Sequence, residues 1–326
     1  MRTIGIAGLS KDAGKTSIVN DYLSRIPSAR IGVSTLGIYR PAATHYKPML
    51  SIPSGCFFTT IPDLLRSTRG LVRVISHPAI STALGPLFIY QSLAPISIRL
   101  AGPATSCQLN RLCRFFESIS LDYLILDTSL DRKSVLNIDH LDEMILAAGA
   151  ACSPHLESIL DQCRFWADLS RLPASPFPIP SSINHPVLLD HTGSIIHTYS
   201  FPLLGHELDL FAQLSDYQGN YLYLPAGLGQ SSLSRILPFW KKWNGSLILK
   251  TAFHLQLDPE SWSKIHHEGL IIHLRHPLNL REIAINSYSP LHSIDCRRMR
   301  TAFRQTFPDL TITDISDPFP EASSAT

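Results

Sequence analysis

Residues 3–17 read Thr3-Ile-Gly-Ile-Ala-Gly-Leu-Ser-Lys-Asp-Ala-Gly-Lys-Thr-Ser17, and no other stretch constrains the fold as tightly. A short apolar run of strand character enters a loop that closes on Gly14-Lys15-Thr16. A helix-compatible run, Ser17-Ile-Val-Asn-Asp-Tyr-Leu23, follows at once. Strand, glycine-bearing loop and helix in that order form the sequence context of a P-loop. Further along, apolar β-rich runs alternate with segments of helical spacing, the pattern of a mostly parallel sheet with helices on both faces. Strands are predicted at 3–7, 30–35, 71–76, 96–100, 123–127 and 144–147, and helices at 15–26, 104–119 and 155–172. In the last of these helices Leu156, Ile159, Leu160, Cys163 and Trp166 share one side.

The residue types of the loop suit a polyphosphate. Backbone N–H groups at a helix N-terminus converge on phosphate oxygens, and Gly14 lets the backbone approach without a Cβ in the way. Lys15 is expected to reach the β- and γ-phosphates, Thr16 to place its hydroxyl on Mg²⁺, and Ser17 to reach a further oxygen. Five residues separate Gly8 from Gly14, one more than in the commonest form of the motif. The same spacing occurs in the loop of dethiobiotin synthetase, and lysine-bearing loops occur in MinD-like and CobQ-like proteins. Lys11 is therefore a second candidate at the phosphates.

Such a site needs an acid at the end of a neighbouring strand to hold Mg²⁺. The run Tyr123-Leu-Ile-Leu-Asp127 supplies one. Asp127 is the metal candidate together with Thr16, and an ordinary strand-ending aspartate is the alternative. Lys15 and Asp127 are the candidate catalytic groups. Gly8, Lys11, Gly14, Lys15, Thr16, Ser17 and Asn286 are the candidate nucleotide contacts, Asn286 being equally readable as a turn residue. Asp131 and Arg132 read either as a sensor of nucleotide state or as a solvated turn.

Composition narrows the rest. The chain has 326 residues, 44 % hydrophobic and 17 % charged, enough apolar material for a well-buried core. A net charge of +2 provides no strong field for nucleic acid or an anionic membrane. Six cysteines without a C-x-x-C pair fit a reduced, cytoplasmic protein. No segment approaches the ~20 apolar residues of a membrane span. Five prolines between 173 and 186 exclude a helix or central strand there. The expected organisation is a nucleotide-binding domain over 1–172, a linker over 173–186, a C-terminal α/β region over 187–316 and a frayed tail over 317–326. Strands are predicted in that region near 187–189, 194–198, 221–224, 247–249, 270–273 and 310–313, with helices near 231–243 and 295–306. These later strands either extend the first sheet or form a second. His266, His267, His273 and His276 cluster without metal-ligand spacing. Arg297, Arg298, Arg300 and Arg304 form either a solvated helix face or a basic surface toward a partner.

Taken together, these motifs resemble the KamB family, the P-loop subunit of lysine 5,6-aminomutase reactivase. The resemblance runs through Gly8-Leu-Ser-Lys-Asp-Ala-Gly-Lys-Thr16, Gly32-Val-Ser-Thr-Leu-Gly37, Lys47-Pro48, Pro53–Thr60 and Gly102-Pro103. It continues through Leu124–Ser134, Met144–Ala150 and Ala284–Pro290. It implies an ATP-binding accessory protein that acts with a MutS-like ATPase subunit to restore a cobalamin-dependent aminomutase. It implies no cobalamin or pyridoxal phosphate site in this chain. Where the family carries Asp-Gly-Glu after the second strand, this chain has Tyr39-Arg40-Pro41, so the resemblance implies nucleotide binding more firmly than hydrolysis. An ATP-dependent ligase like dethiobiotin synthetase and a nucleotide-locked scaffold without turnover are the rival expectations.

Overall fold

The computed structural model describes residues 1–26, 29–37, 49–130, 141–200, 214 and 220–315. Tyr39-Arg40-Pro41, Lys47-Pro48, Asp131, Arg132 and the tail from 317 lie outside the described residues. The chain has an α/β fold with a large, mostly parallel sheet and a second, mixed one. It divides into two compact units, Met1–Cys163 with Asn279–Thr326, and Arg164–Leu278. The proline-rich stretch therefore falls inside the second unit, and the 187–316 region is shared between the two.

The first unit contains strands β1 (Arg2–Gly8), β2 (Ile31–Thr35), β3 (Phe57–Thr60), β4 (Val72–Ser76), β5 (Phe88–Ser92), β6 (Tyr123–Ser129) and β7 (Glu143–Gly149). Its helices are α1 (Lys15–Arg25) and α2 (Ser106–Ser118), and α3 (Leu156–Ser170) spans the division between the units. In the second unit lie β8 (Val187–Leu189), β9 (Ile195–Thr198), β10 (Tyr221–Leu224), α4 (Gln230–Trp243), β11 (Ser246–Thr251), α5 (Pro259–His267) and β12 (Ile272–His276). The chain then returns to the first unit with β13 (Leu280–Asn286), α6 (Cys296–Thr306) and β14 (Thr311–Asp314).

The nine-stranded sheet runs in the order β14-β13-β7-β1-β6-β2-β3-β5-β4. From β14 to β3 every pairing is parallel, and β5 is antiparallel to both of its neighbours. Parallel strands buried on both faces need continuous apolar runs, and β1 and β7 have them. Ile4, Ile6, Ile125, Ile145, Val33 and Phe58 join Ile18, Val19 and Leu23 of α1 in one cluster. Each enclosed isoleucine contributes roughly 2 kcal/mol of transfer free energy.

At the amino ends of the strands, buried Glu143 is held by the guanidiniums of Arg2 and Arg281, the latter at 3.1 Å. Strand β13 lies outside the predicted apolar runs. Arg281 and Glu282 interrupt its hydrophobic pattern, and the charge at 281 is used in the sheet. Strands β3 and β5 and helix α5 also go beyond the predicted elements. α5 begins at a cap, with Asp258 accepting from the Ser261 N–H at 2.7 Å and Pro259 in the first turn.

The five-stranded sheet of the second unit has the order β9-β8-β10-β11-β12. β8 is antiparallel to β9 and β10, while β10, β11 and β12 are parallel. Residues 173–186 contain no helix and only an isolated bridge from Ala174 to Leu274. Among the described residues no helix is long and apolar enough to cross a membrane.

Candidate functional site

The connection leaving β1 leads through α1 to β2, on the β6 side. The connection leaving β7 leads to β13, on the opposite side. The strand order thus reverses between β1 and β7, and in open parallel sheets ligands bind at such a reversal, beyond the carboxyl ends of the strands. The loop over residues 9–14 emerges at this place.

Two left-handed residues shape the loop, Asp12 at φ 63° and Gly14 at φ 93°. They bracket the fully buried Ala13. Gly14 is the N-cap of α1, and having no side chain it leaves the first-turn N–H groups of Thr16 and Ser17 uncapped from within. The Ile18 N–H closes the first helical bond on the Gly14 carbonyl at 3.1 Å. The Lys15 ammonium folds back over the loop and donates to the Ser10 carbonyl at 3.1 Å. A Cβ on Gly8 would lie 2.6 Å from that Nζ, and one on Gly14 would lie 2.3 Å from Ile315 Cδ1. A larger residue at 8 would displace the Lys15 side chain and one at 14 would displace Ile315, and Gly14 is favoured by its backbone angle as well.

Asp127 is 3 % exposed and stands opposite Ile6 of β1 and Thr35 of β2 in the register. Because side chains alternate along a strand, it shares the face of Ile6 and Ile125, the face on which α1 packs. Thr16 in the first turn of α1 is buried, and that helix lies against both β1 and β6. Ser17 and Lys11 are exposed. The structure gathers Gly8, Lys11, Gly14, Lys15, Thr16 and Ser17 on one loop and helix start, with Asp127 inside the adjacent strand β6, which continues through Thr128 and Ser129.

Asn286 comes to the same place from the far end of the chain. Its amide nitrogen lies 3.4 Å from the position of a Cβ on Gly14, and its Oδ1 accepts from the Tyr288 N–H at 3.1 Å. Its carbonyl accepts from the Ala150 N–H at 2.8 Å, so close to Gly149 that a Cβ there would sit 2.2 Å from it. Four further residues join the site without a local signal in the sequence. The Ser10 hydroxyl and the Cys152 thiol are 3.2 Å apart, linking the loops after β1 and β7. Ile315 packs against Gly14 from beyond β14, and His292 Nε2 is bonded to the Ala150 carbonyl. At the same edge, Gly102 approaches β2 so closely that a Cβ would be 1.6 Å from the Thr35 carbonyl oxygen. A cavity of about 490 Å³ opens between the starts of α3 and α6, bordered by His155, Ser293 and Arg298.

Burial pushes the Cys56 and Cys113 thiols up to about 12, so both remain protonated packing groups. Of the histidine cluster, His273 contacts the Ala174 carbonyl and His266 packs on Trp262. Among the described residues no three His, Cys, Asp or Glu side chains converge as a metal site. Comparison of the chain with protein-family models, curated proteins and solved structures finds no match.

Proposed function

We propose that this chain binds Mg·ATP at the Gly8–Ser17 loop, as a P-loop NTPase-type α/β protein, and acts as a nucleotide-dependent accessory to another enzyme. The observation that carries the reading is the loop itself. A left-handed glycine caps α1, a lysine opens the helix and curls over Gly8, and a buried aspartate lies near the carboxyl end of the adjacent strand β6. A Cβ at Gly8 would meet the Lys15 side chain and one at Gly14 would meet Ile315, so glycine at both positions lets the lysine lie over the loop.

In this reading the N–H groups at the start of α1 and the Lys15 ammonium hold the phosphate oxygens, and Ser17 adds a hydroxyl. Lys15 exchanges its bond to the Ser10 carbonyl for the ligand. Thr16 and Asp127 would hold Mg²⁺, which supplies charge neutralisation across the terminal phosphates. Lys11, exposed on the loop, approaches from the solvent side. Asn286 contributes from β13, its amide already directed toward Gly14. The partners implied by the KamB-like motifs are a MutS-like subunit and lysine 5,6-aminomutase. A nucleotide cycle would supply the two states that such a remodelling device needs.

Calorimetry with ATP and Mg²⁺ tests the binding, which should be saturable in the native chain and lost in Lys15→Ala with the fold intact. Single-turnover hydrolysis with and without the MutS-like subunit tests the accessory role. Stimulation by that subunit supports it, stimulation by a small carboxylate substrate would replace it with a ligase, and no turnover in either case would leave a nucleotide-locked scaffold.

A further inference from the structure

Between β13 and α6 the chain forms a knuckle whose backbone is tied down at nearly every residue. Tyr288 and Ser293 form a bridge, Ser289 N–H donates to the His292 carbonyl at 3.0 Å, and Ile294 N–H donates to the Ser287 carbonyl at 2.9 Å. The Leu291 N–H donates to the Ser289 hydroxyl at 3.2 Å, and His292 anchors the knuckle to Ala150. Pro290 further narrows its conformations. This rigid support carries two large apolar side chains into solvent, Tyr288 at 63 % and Leu291 at 88 % exposure. Ordering a loop around exposed leucine and tyrosine gains nothing for the core. It does lower the entropy cost of placing both in a partner's pocket.

The adjoining helix α6 has four arginines and no acidic residue between 296 and 306. Arg300 is committed to Asp314 through bonds of 3.2 and 3.0 Å. Met299 and Phe303 are buried, whereas Arg297, Thr301 and Arg304 follow at helical spacing along an exposed stripe beside Arg298. Asp295 is used as the N-cap, accepting from the Arg298 N–H at 2.7 Å. Arg297, Arg298 and Arg304 have no ion pair among the described residues.

We propose that the Ser287–Ile294 knuckle and the arginine stripe of α6 are one docking surface for a protein partner that presents an apolar socket edged by carboxylates. Tyrosine and arginine are the side chains that most often anchor protein interfaces, and unpaired guanidiniums complement carboxylates by paired hydrogen bonds. A formal charge of only +2 gives no long-range field of the kind that draws nucleic acid, so the stripe acts at contact range. The knuckle is rooted in Asn286 beside Gly14, which puts docking next to the phosphate loop. The MutS-like subunit as occupant rests on the accessory reading; the surface itself does not.

Two probes separate these claims, the purified MutS-like subunit and a synthetic helical peptide with a leucine stripe flanked by glutamates. Binding of each is measured to the native chain, to Leu291→Ser with Tyr288→Ser, and to Arg297→Glu with Arg304→Glu. All these positions are exposed, so the melting temperature should hold within about 2 °C. The acidic peptide should bind at least about tenfold more tightly than its Glu→Lys counterpart, and each double variant should remove that preference. Equal or absent binding of both peptides overturns the surface. So does tighter capture of single-stranded RNA that the arginine variant abolishes, or a dimer in sedimentation that the Leu291→Ser pair dissolves. If the MutS-like subunit binds all three proteins equally, that subunit is not the occupant of this surface while the accessory reading survives. If it binds none while the acidic peptide behaves as expected, the accessory reading falls and the surface stands.

Discussion

The two units each contain a strand that runs through a glycine-bearing loop into a helix, and the two junctions differ in every respect that matters for phosphate. After β1, Gly14 turns left-handed at φ 93° and the helix opens on Lys15-Thr16-Ser17. After β10, the sequence Pro225-Ala-Gly-Leu-Gly-Gln-Ser-Ser232 enters α4 with Gly229 at φ −89° and ψ 169°, ordinary extended backbone. Leu228 and Gly229 then pair in parallel with Leu255 and Gln256, so backbone that would face a ligand is spent on a small sheet. No cation stands in the first turn of α4, and β10 connects through α4 to its immediate neighbour β11 without a reversal of strand order. Glycines before a helix thus occur in two quite different settings, and only the junction after β1 combines them with a left-handed turn, a first-turn lysine and a topological switch.

That contrast predicts a graded set of effects. Lys15→Ala should weaken nucleotide binding at least a hundredfold, about 2.7 kcal/mol, while Gln230→Ala changes nothing in the same titration. Equal losses at both positions would erase the distinction between the junctions. Gly14→Ala should lower unfolding stability by about 2 kcal/mol, since a left-handed alanine is strained and its Cβ meets Ile315; urea denaturation measures this. Asp127→Asn should reduce the Mg²⁺-dependent part of nucleotide affinity by about tenfold, roughly 1.4 kcal/mol. Binding measured in EDTA should be unchanged, and a uniform loss in both conditions would remove Asp127 from the metal. Gly229→Ala should be the mildest, within about 0.5 kcal/mol in either direction. Its backbone is extended and a Cβ there has no atom within 4 Å.

The Gly8–Ser17 loop was legible because its requirements are local. A glycine that must turn left-handed, a lysine one residue later and a threonine after it stand together in sequence, and the apolar run ending in Asp127 marks a neighbouring strand. The contacts that complete the crevice were not legible. Ser10 meets Cys152, Gly14 meets Ile315, and Gly149 meets Asn286 across pairings whose partners come from three different strand ends. Residue type alone carries no information about such meetings, because a serine, a cysteine or an isoleucine is equally at home in many other settings. Domain organisation was partly hidden for the same reason. The prolines of 173–186 do exclude regular structure, but they lie within the second unit. The return of β13 and β14 to the first sheet depends on parallel pairing, which a sequence does not announce by a short turn.

By itself the amino-acid order determined that this is an α/β protein with a glycine–lysine–threonine turn between its first strand and first helix, because those preferences act over a few neighbouring residues. Tertiary structure alone decided that β7 stands between β1 and β13, that Asn286 and Ile315 close on Gly14, and that Tyr288 and Leu291 are held out in solvent. Those outcomes come from packing and strand pairing between distant segments, and the free energy that selects them exists only once the sheet is assembled.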